Sequence, residues 1–267
     1  MNLGDWVGLG WIVGTIFVSF ATVGIGIIVA EMFGRQYAFL WIVAIQGAFQ
    51  ILISFTSAQF VGLVLGGTTF ITIAGSLIYP TLELGQNYLN EFYGLKISRT
   101  SVNAQLVCRV LTALLLIFLF LLPYPPKFEQ NHAQFLSLNK IVPRIAIASI
   151  IATWITGMVM VYVYDMVRNM TGDKMLWLRA VSANIVSMTV NSVLFVLLAF
   201  AGVMSVAVLT NMILIQIFFK FIDSFFELGF LYGLRSLKDR GILQVGSAAQ
   251  EMVGDTIATK PSSIMPA

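Results

Sequence analysis

Long apolar runs make up most of this sequence, and their length limits what the chain can fold into. An α-helix needs about 20 predominantly apolar residues to cross the hydrocarbon core of a bilayer. Runs of about that length occur at residues 7–30, 37–58, 66–90, 104–124, 142–165, 179–202 and 204–234. The pattern predicts an all-α, polytopic membrane helix bundle in a lipid bilayer.

The composition argues against a soluble domain. Only 10% of the residues are charged, whereas a soluble domain has about 25%. The longest polar interruption is 124–141, and the small, polar segment 241–267 is expected to be a disordered cytoplasmic tail. The first run is too long for a cleavable signal peptide and has no basic residues before it, so we expect a transmembrane helix there.

Lysine and arginine are unevenly distributed among the segments that separate the runs. With the N-terminus outside, ten of these residues fall on predicted inside segments and three on outside segments. Basic residues concentrate on the cytoplasmic side of membrane proteins. We therefore predict a cell-membrane protein with its N-terminus outside and its C-terminus in the cytoplasm. The formal net charge of +3 reflects this asymmetry, so no nucleic-acid partner is predicted.

No constellation of catalytic residues stands out. The sequence contains no HExxH, no GxSxG and no phosphate-binding glycine loop. A single cysteine, Cys108, and a single histidine, His132, argue against a zinc site. We predict no enzyme, no metal and no cofactor, although a catalytic carboxylate pair is an alternative that the composition leaves open.

Polar residues recur at helical spacing inside five of the runs. Side chains three and four positions apart share one face of a helix. The rows are Gln46, Gln50, Ser54 and Ser57; Glu83, Asn87 and Asn90 or Glu91; Ser149, Thr153 and Thr156; Asn184, Ser187 and Asn191; and Gln216, Lys220, Asp223 and Glu227. One such row commonly stabilises a helix interface, but five rows together indicate a polar cavity inside the bundle.

The charged row near the C-terminus is the most informative. A charge inside a bilayer is costly unless it faces protein, water or a partner. Lys220 and Asp223 are spaced to pair on one helix, and Glu83 is an alternative partner for Lys220. Two interpretations remain: a buried ion pair that fixes packing, or a substrate or proton site. For proton coupling the candidates are Glu83, Asp223 and Glu227.

Four segments of the sequence form a recognisable series, in order YPTLELGQNYLNEFYGLKISR, PRIAIASIIATW, LWLRAVSANIVSMTVNSVLFVLLAFAG and FFKFIDSFFELGFLYG. They resemble, in this order, motifs of the queuosine precursor transporters, a vitamin-uptake-type family with a six-helix core. The resemblance extends from about residue 37 to 238. It implies an extra N-terminal transmembrane helix in 1–36 and a six-helix transporter core in 37–240. It also implies a fold similar to the substrate-binding subunits of energy-coupling-factor (ECF) vitamin transporters, and homodimers for some members.

The function that the resemblance implies is the import of a 7-deazapurine precursor of modified tRNA bases. By motif position, the residues expected to bind this small-molecule substrate are Asn87, Glu91, Arg144, Ser149, Asn184, Met188, Asn191 and Lys220. The alternative is a substrate-binding subunit of a vitamin transporter that needs a separate energising partner.

The sequence departs from the family pattern at several of these positions. Asn87 and Asn191 stand where the family usually has Asp, Met188 where it has Gln or Asn, and Phe230 where it has Pro. A carboxylate accepts two parallel hydrogen bonds, whereas an amide offers one acceptor and one donor group. We therefore expect a related heterocycle as substrate. Coupling would use Glu83, Asp223 or Glu227, or the protein would be an uncoupled facilitator.

Overall fold

A computed structural model describes residues 3–34, 37–56, 59–65, 68–120, 142–172 and 174–243. The elements in these residues are α1 (Leu3–Gly34), α2 (Ala38–Thr56), β1 (Phe60–Leu65), β2 (Thr68–Ile73), α3 (Ala74–Ile78), α4 (Pro80–Phe120), α5 (Val142–Thr171), α6 (Leu176–Phe200) and α7 (Val206–Asp239). Six of the helices have 19 or more residues. The predicted all-α helix bundle is confirmed, with one β-hairpin added to it.

Several helices are suited to a membrane. Four described stretches are long and apolar enough to cross one: Gly10–Gly34, Arg144–Thr171, Leu176–Phe200 and Val206–Asp239. Their outer faces expose large hydrophobic side chains such as Trp11, Leu214 and Phe218. Helices satisfy their own backbone hydrogen bonds, so such faces are stable against lipid. The protein is a multi-pass membrane protein.

The predictions for 66–90 and 104–124 as two separate spanning helices were wrong in their boundaries. Thr68–Ile73 forms β2, which pairs antiparallel with β1, and a single helix then runs from Pro80 to Phe120. β2 reads TTFITI, and β-branched residues favour strands. Apolar periodicity alone does not separate a short buried strand from a helix segment.

Gly94 breaks the long helix α4. Its φ of 80° and ψ of 176° lie outside the helical region, where glycine meets no steric penalty. The break divides α4 into residues 80–93, which we call α4N, and residues 95–120, which we call α4C. Across it, the Gln86 side-chain amide donates to the Ser98 carbonyl at 2.9 Å.

The segment α4N lies at the centre of the bundle. Residues 79–90 are all buried, and α4 packs against α1, α2, α5 and α7. A helix buried on every face needs partners for each polar side chain that it carries. Because α4N carries Glu83, Gln86, Asn87 and Asn90, its neighbours must supply a matching set of polar groups.

The predicted outer loop and most of the predicted C-terminal tail, residues 124–141 and 244–267, lie outside the described residues. Residues 241–243, which precede the second of these segments, follow the C-terminal end of α7. Gly241 has a φ of 74°, and the Ile242 amide donates to the Leu237 carbonyl at 3.0 Å. This pattern is a common helix C-terminus, with glycine in the left-handed conformation.

Candidate functional site

Asn87, Asn184 and Glu227 form a hydrogen-bonded group that we call the Asn–Glu cluster. Asn87 Nδ2 donates to Asn184 Oδ1 at 2.9 Å and to Glu227 Oε1 at 2.6 Å. Asn184 Nδ2 donates to the other oxygen of Glu227. The three side chains come from α4N, α6 and α7 and are at most 1% exposed. A single carboxylate therefore links three helices inside the bundle.

Lys220 on α7 forms a second group with α6, which we call the lysine cluster. Its Nζ donates to Asn191 Oδ1 at 2.8 Å and to Ser192 Oγ at 3.1 Å, and lies 4.9 Å from the centroid of the Tyr79 ring. Asn191 Nδ2 in turn donates to Thr156 Oγ1 at 3.4 Å. Lys220 is 1% exposed, so its ammonium group has exchanged water for these neighbours.

The expected contact between Lys220 and Asp223 is not formed. Within the described residues no carboxylate oxygen lies within 4.0 Å of Lys220 Nζ, because the side chain reaches across to α6 instead. Both carboxylate oxygens of Asp223 are buried and have no hydrogen-bond partner among the described residues. Asp223 is therefore not a bonded counter-ion of Lys220.

Glu83 lies between the two clusters. It precedes Asn87 by one helical turn on α4N, and Ser187 Oγ on α6 is 3.5 Å from both of its carboxylate oxygens. Glu83 is 4% exposed. The polar rows of α4N, α6 and α7 thus face one another across the centre of the bundle.

A group of glutamine and serine side chains joins α2 to both segments of α4. Gln46 Nε2 donates to the Leu82 carbonyl at 3.1 Å, and Gln105 Nε2 and Ser101 Oγ each donate to Gln46 Oε1 at 3.1 Å. Gln50 Nε2 donates to Gln105 Oε1 at 2.5 Å. Ser57, from the same predicted row, lies outside the described residues.

Beside this group is a cavity of about 30 Å³ between α2, α4 and α5. Its polar lining includes Gln50, Glu83, Gln86, Gln105, Arg109 and Thr153. The volume leaves room for roughly one or two water molecules. A planar heterocycle would enter this space only if the surrounding helices moved apart.

Arg109 lies inside the apolar run 104–124, and the sequence predicted no role for it. In the structure it is 5% exposed, and its Nη1 donates to the carbonyl and Oγ of Ser149 at 3.0 Å and to Thr153 Oγ1 at 2.9 Å. Ser149, a predicted substrate-binding residue, therefore holds Arg109. The signal that could have found Arg109 is its position alone, since a charged residue within a membrane span is a functional candidate by default.

Two of the predicted binding residues belong to other networks. Glu91 Oε1 lies 2.5 Å from Arg179 Nη2, and Glu91 Oε2 accepts a hydrogen bond from the Tyr164 hydroxyl at 2.7 Å. Arg144 is exposed and donates to the Leu198 and Ala201 carbonyls at 2.9 and 2.6 Å, at the C-terminal end of α6.

The predicted substrate-binding residues therefore belong to several separate groups in the structure. The structure brings Asn87 and Asn184 together, and joins Asn191 to Lys220. Met188 is 2% exposed and accepts a long contact of 3.7 Å from the Ser224 hydroxyl. Among the described residues no group of three or more His, Cys, Asp and Glu side chains could hold a metal ion.

Comparisons with known proteins identify a relative and a family. The "Probable queuosine precursor transporter" of Bacillus subtilis (strain 168) is 26% identical over 164 residues, which are 61% of this chain and 71% of the relative. No solved structure matches, so the likeness to ECF substrate-binding subunits stays a prediction. A family model described as "Putative vitamin uptake transporter" matches residues 73–234. This match covers more than half of the chain, from the end of β2 to the last turns of α7, and the chain therefore belongs to the vitamin uptake transporter family that the model describes.

Proposed function

We propose that the protein imports a small planar, nucleobase-like heterocycle, a 7-deazapurine queuosine precursor or a related compound, through the centre of its bundle. Family membership supports a membrane transporter, and the Bacillus subtilis relative supports this class of substrate. The observation that carries the proposal is α4N, a central helix buried on every face that carries polar side chains toward several neighbours. Discontinuous helices of this kind form the binding sites of many transporters.

The Asn–Glu cluster and the lysine cluster are the proposed substrate site. Asn87, Asn191 and Lys220 present amide and ammonium groups, which can bind the polar edge of a heterocycle once they exchange their present partners for it. Asn184 and Met188 border the same space from α6. The other predicted binding residues do not contact the substrate in this proposal. They fix the helices or the side chains that form the site, and they are Glu91, Arg144 and Ser149.

Substrate entry requires the bundle to open. The clusters hold α4N against α6 and α7, and the cavity between α2, α4 and α5, which Tyr79 and Glu83 also line, is far smaller than a bicyclic ring. The backbone break at Gly94 separates α4N from α4C, so α4N can shift without moving the whole helix. We propose that this shift exposes the site, since hinges of transporters and enzymes are a few residues that absorb the change in φ and ψ.

Proton coupling is proposed to use Glu83, Asp223 and Glu227. Each is buried, and none has a cation within 4.0 Å in the described part of the chain. Carboxyl groups inside membrane bundles commonly relay protons in transporters. Uptake into liposomes with an acidic exterior should then exceed uptake without a pH gradient, and equal rates would indicate a facilitator.

The transporter proposal is tested with purified protein in liposomes and a radiolabelled panel of purines and 7-deazapurines. Asn87→Ala, Asn191→Ala and Lys220→Ala should each abolish uptake, while the melting temperature in detergent shows that the protein remains folded. Asn211→Ala and Lys174→Ala, at exposed positions, are matched controls and should transport normally. Binding without uptake by the wild-type protein would instead identify a subunit that needs an energising partner.

A further inference from the structure

One nitrogen of the Arg109 guanidinium group forms hydrogen bonds with the described residues, and the other two form none. Nη1 contacts Ser149 and Thr153, whereas Nε and Nη2 are buried and have no hydrogen-bond partner among the described residues. The N–H bonds of Nε and Nη2 are parallel in the planar group and form a two-pronged donor edge. Buried donors without partners destabilise a fold, and more so when they are charged.

This edge borders a cavity of about 30 Å³ that combines polar and apolar groups, and the helices around it must move apart before a heterocycle fits. Arg109 lines the cavity between α2, α4 and α5, and no carboxylate is within 4.0 Å of it in the described chain. Gln86 and Gln105 supply amides to the same cavity, and Trp154 and Met160 supply apolar walls. A few fixed polar groups among apolar walls are typical of ligand pockets.

We propose that the open edge of Arg109 binds a substrate that presents two adjacent hydrogen-bond acceptors, in a 6-oxopurine or in a heterocycle with a carboxylate. This inference rests on the proposed function and narrows its substrate class. Arginine binds O6 and N7 of a 6-oxopurine with two parallel hydrogen bonds, and it binds both oxygens of a carboxylate in the same way. A 7-deazapurine has C–H in place of N7 and can accept only one of the two bonds.

The test compares ligands that differ only at this edge. Binding of hypoxanthine and 7-deazahypoxanthine, and of nicotinate and nicotinamide, is measured on the purified full-length protein in detergent. A bidentate contact contributes enough discrimination for the two-acceptor member of a pair to bind at least about tenfold more tightly. A preference within the purine pair assigns an oxopurine, and a preference within the second pair assigns a carboxylate.

Variants then attribute the preference to Arg109. Arg109→Lys keeps the charge but loses the fork, so the preference should fall to less than about twofold. Arg99→Lys, the same change at an exposed position of α4, should leave it unchanged. Should Arg109→Lys not fold, equal affinities within both ligand pairs on the wild-type protein would still overturn the inference.

Several outcomes would overturn the inference. Equal affinities within both pairs, no binding of any of the four compounds, or an undiminished preference in Arg109→Lys would each do so. Uptake of 7-deazapurines in liposomes is measured separately. If uptake is present and one of these outcomes occurs, the proposed function stands and only the role of Arg109 is overturned.

Discussion

At the scale of single residues, the Asn–Glu cluster explains why an amide stands at position 87. Asn87 Nδ2 donates to Glu227 Oε1 at 2.6 Å. An aspartate at 87 would place a second acceptor against this carboxylate with no donor between them. The amide at 87 and the carboxylate at 227 therefore fit each other as a pair.

This pairing predicts a compensating double variant. Asn87→Asp should lower the melting temperature, because it leaves buried acceptors facing each other at a cost of about 1–3 kcal/mol. Adding Glu227→Gln restores a donor and should recover most of the loss. The melting temperatures of both single variants and the double variant measure the coupling. If the two effects simply add, Asn87 and Glu227 do not depend on each other.

Sequence spacing predicted which polar residues share a helix face, but not which partner each one contacts. The row of Asn184, Ser187 and Asn191 indeed faces the bundle interior. The link from Asn87 to Glu227 joins residues 140 positions apart, and spacing along one helix contains no information about such contacts. For the same reason Lys220 was expected to pair with Asp223 on its own helix.

At the scale of elements, α4N depends on the break at Gly94. The φ of 80° is one that residues with a Cβ rarely adopt. Apart from the adjacent residues and the backbone of its own helix, no atom of the described residues lies within 4 Å of the place that a Cβ would occupy. A substitution there would therefore act through backbone strain alone. The break was hidden from the sequence, because a single glycine in a helical pattern is usually tolerated.

Gly94→Ala should destabilise the protein by about 1–3 kcal/mol, since a positive φ with ψ near 180° is essentially restricted to glycine, and it should slow uptake if the break is a hinge. Gly229→Ala is the control. Gly229 has a helical neighbourhood in α7 and open space around it, so alanine there should be neutral or slightly stabilising. Melting temperature and initial uptake rate are measured for both. Normal uptake in a folded Gly94→Ala variant would exclude the hinge.

At the scale of the whole molecule, α1 is attached directly to the central segment. Glu31 Oε1 accepts hydrogen bonds from the hydroxyl groups of Tyr88 at 2.8 Å and Tyr93 at 2.7 Å. Phe20 and Ile27 of α1 are fully buried in the same core. The apolar length of α1 predicted a membrane helix, but its contacts with α4N could not be read from the sequence, because Glu31 lies outside every polar row.

The orientation and the homodimer remain predictions for the whole molecule. Ten basic residues fall on the predicted inside segments and three on the outside segments, which predicts a cytoplasmic C-terminus. A tag on the C-terminus should therefore react with an impermeant label only after the cells are permeabilised. Labelling of intact cells would reverse the proposed topology.

The contacts of α1 also predict that the six-helix core does not hold its site alone, although α1 and α2 lie outside the residues that the family model matches. Glu31→Ala should leave two buried tyrosine hydroxyls without their acceptor and destabilise the protein by about 1–3 kcal/mol for each. Removal of residues 1–36 should cost more, because the apolar face of α1 is lost as well. The triple variant Glu31→Leu, Tyr88→Phe, Tyr93→Phe replaces all three polar groups together and should be milder than Glu31→Ala. Melting temperatures and uptake rates rank the four proteins, and an unchanged melting temperature after removal of α1 would show that it is only an addition to an independent core.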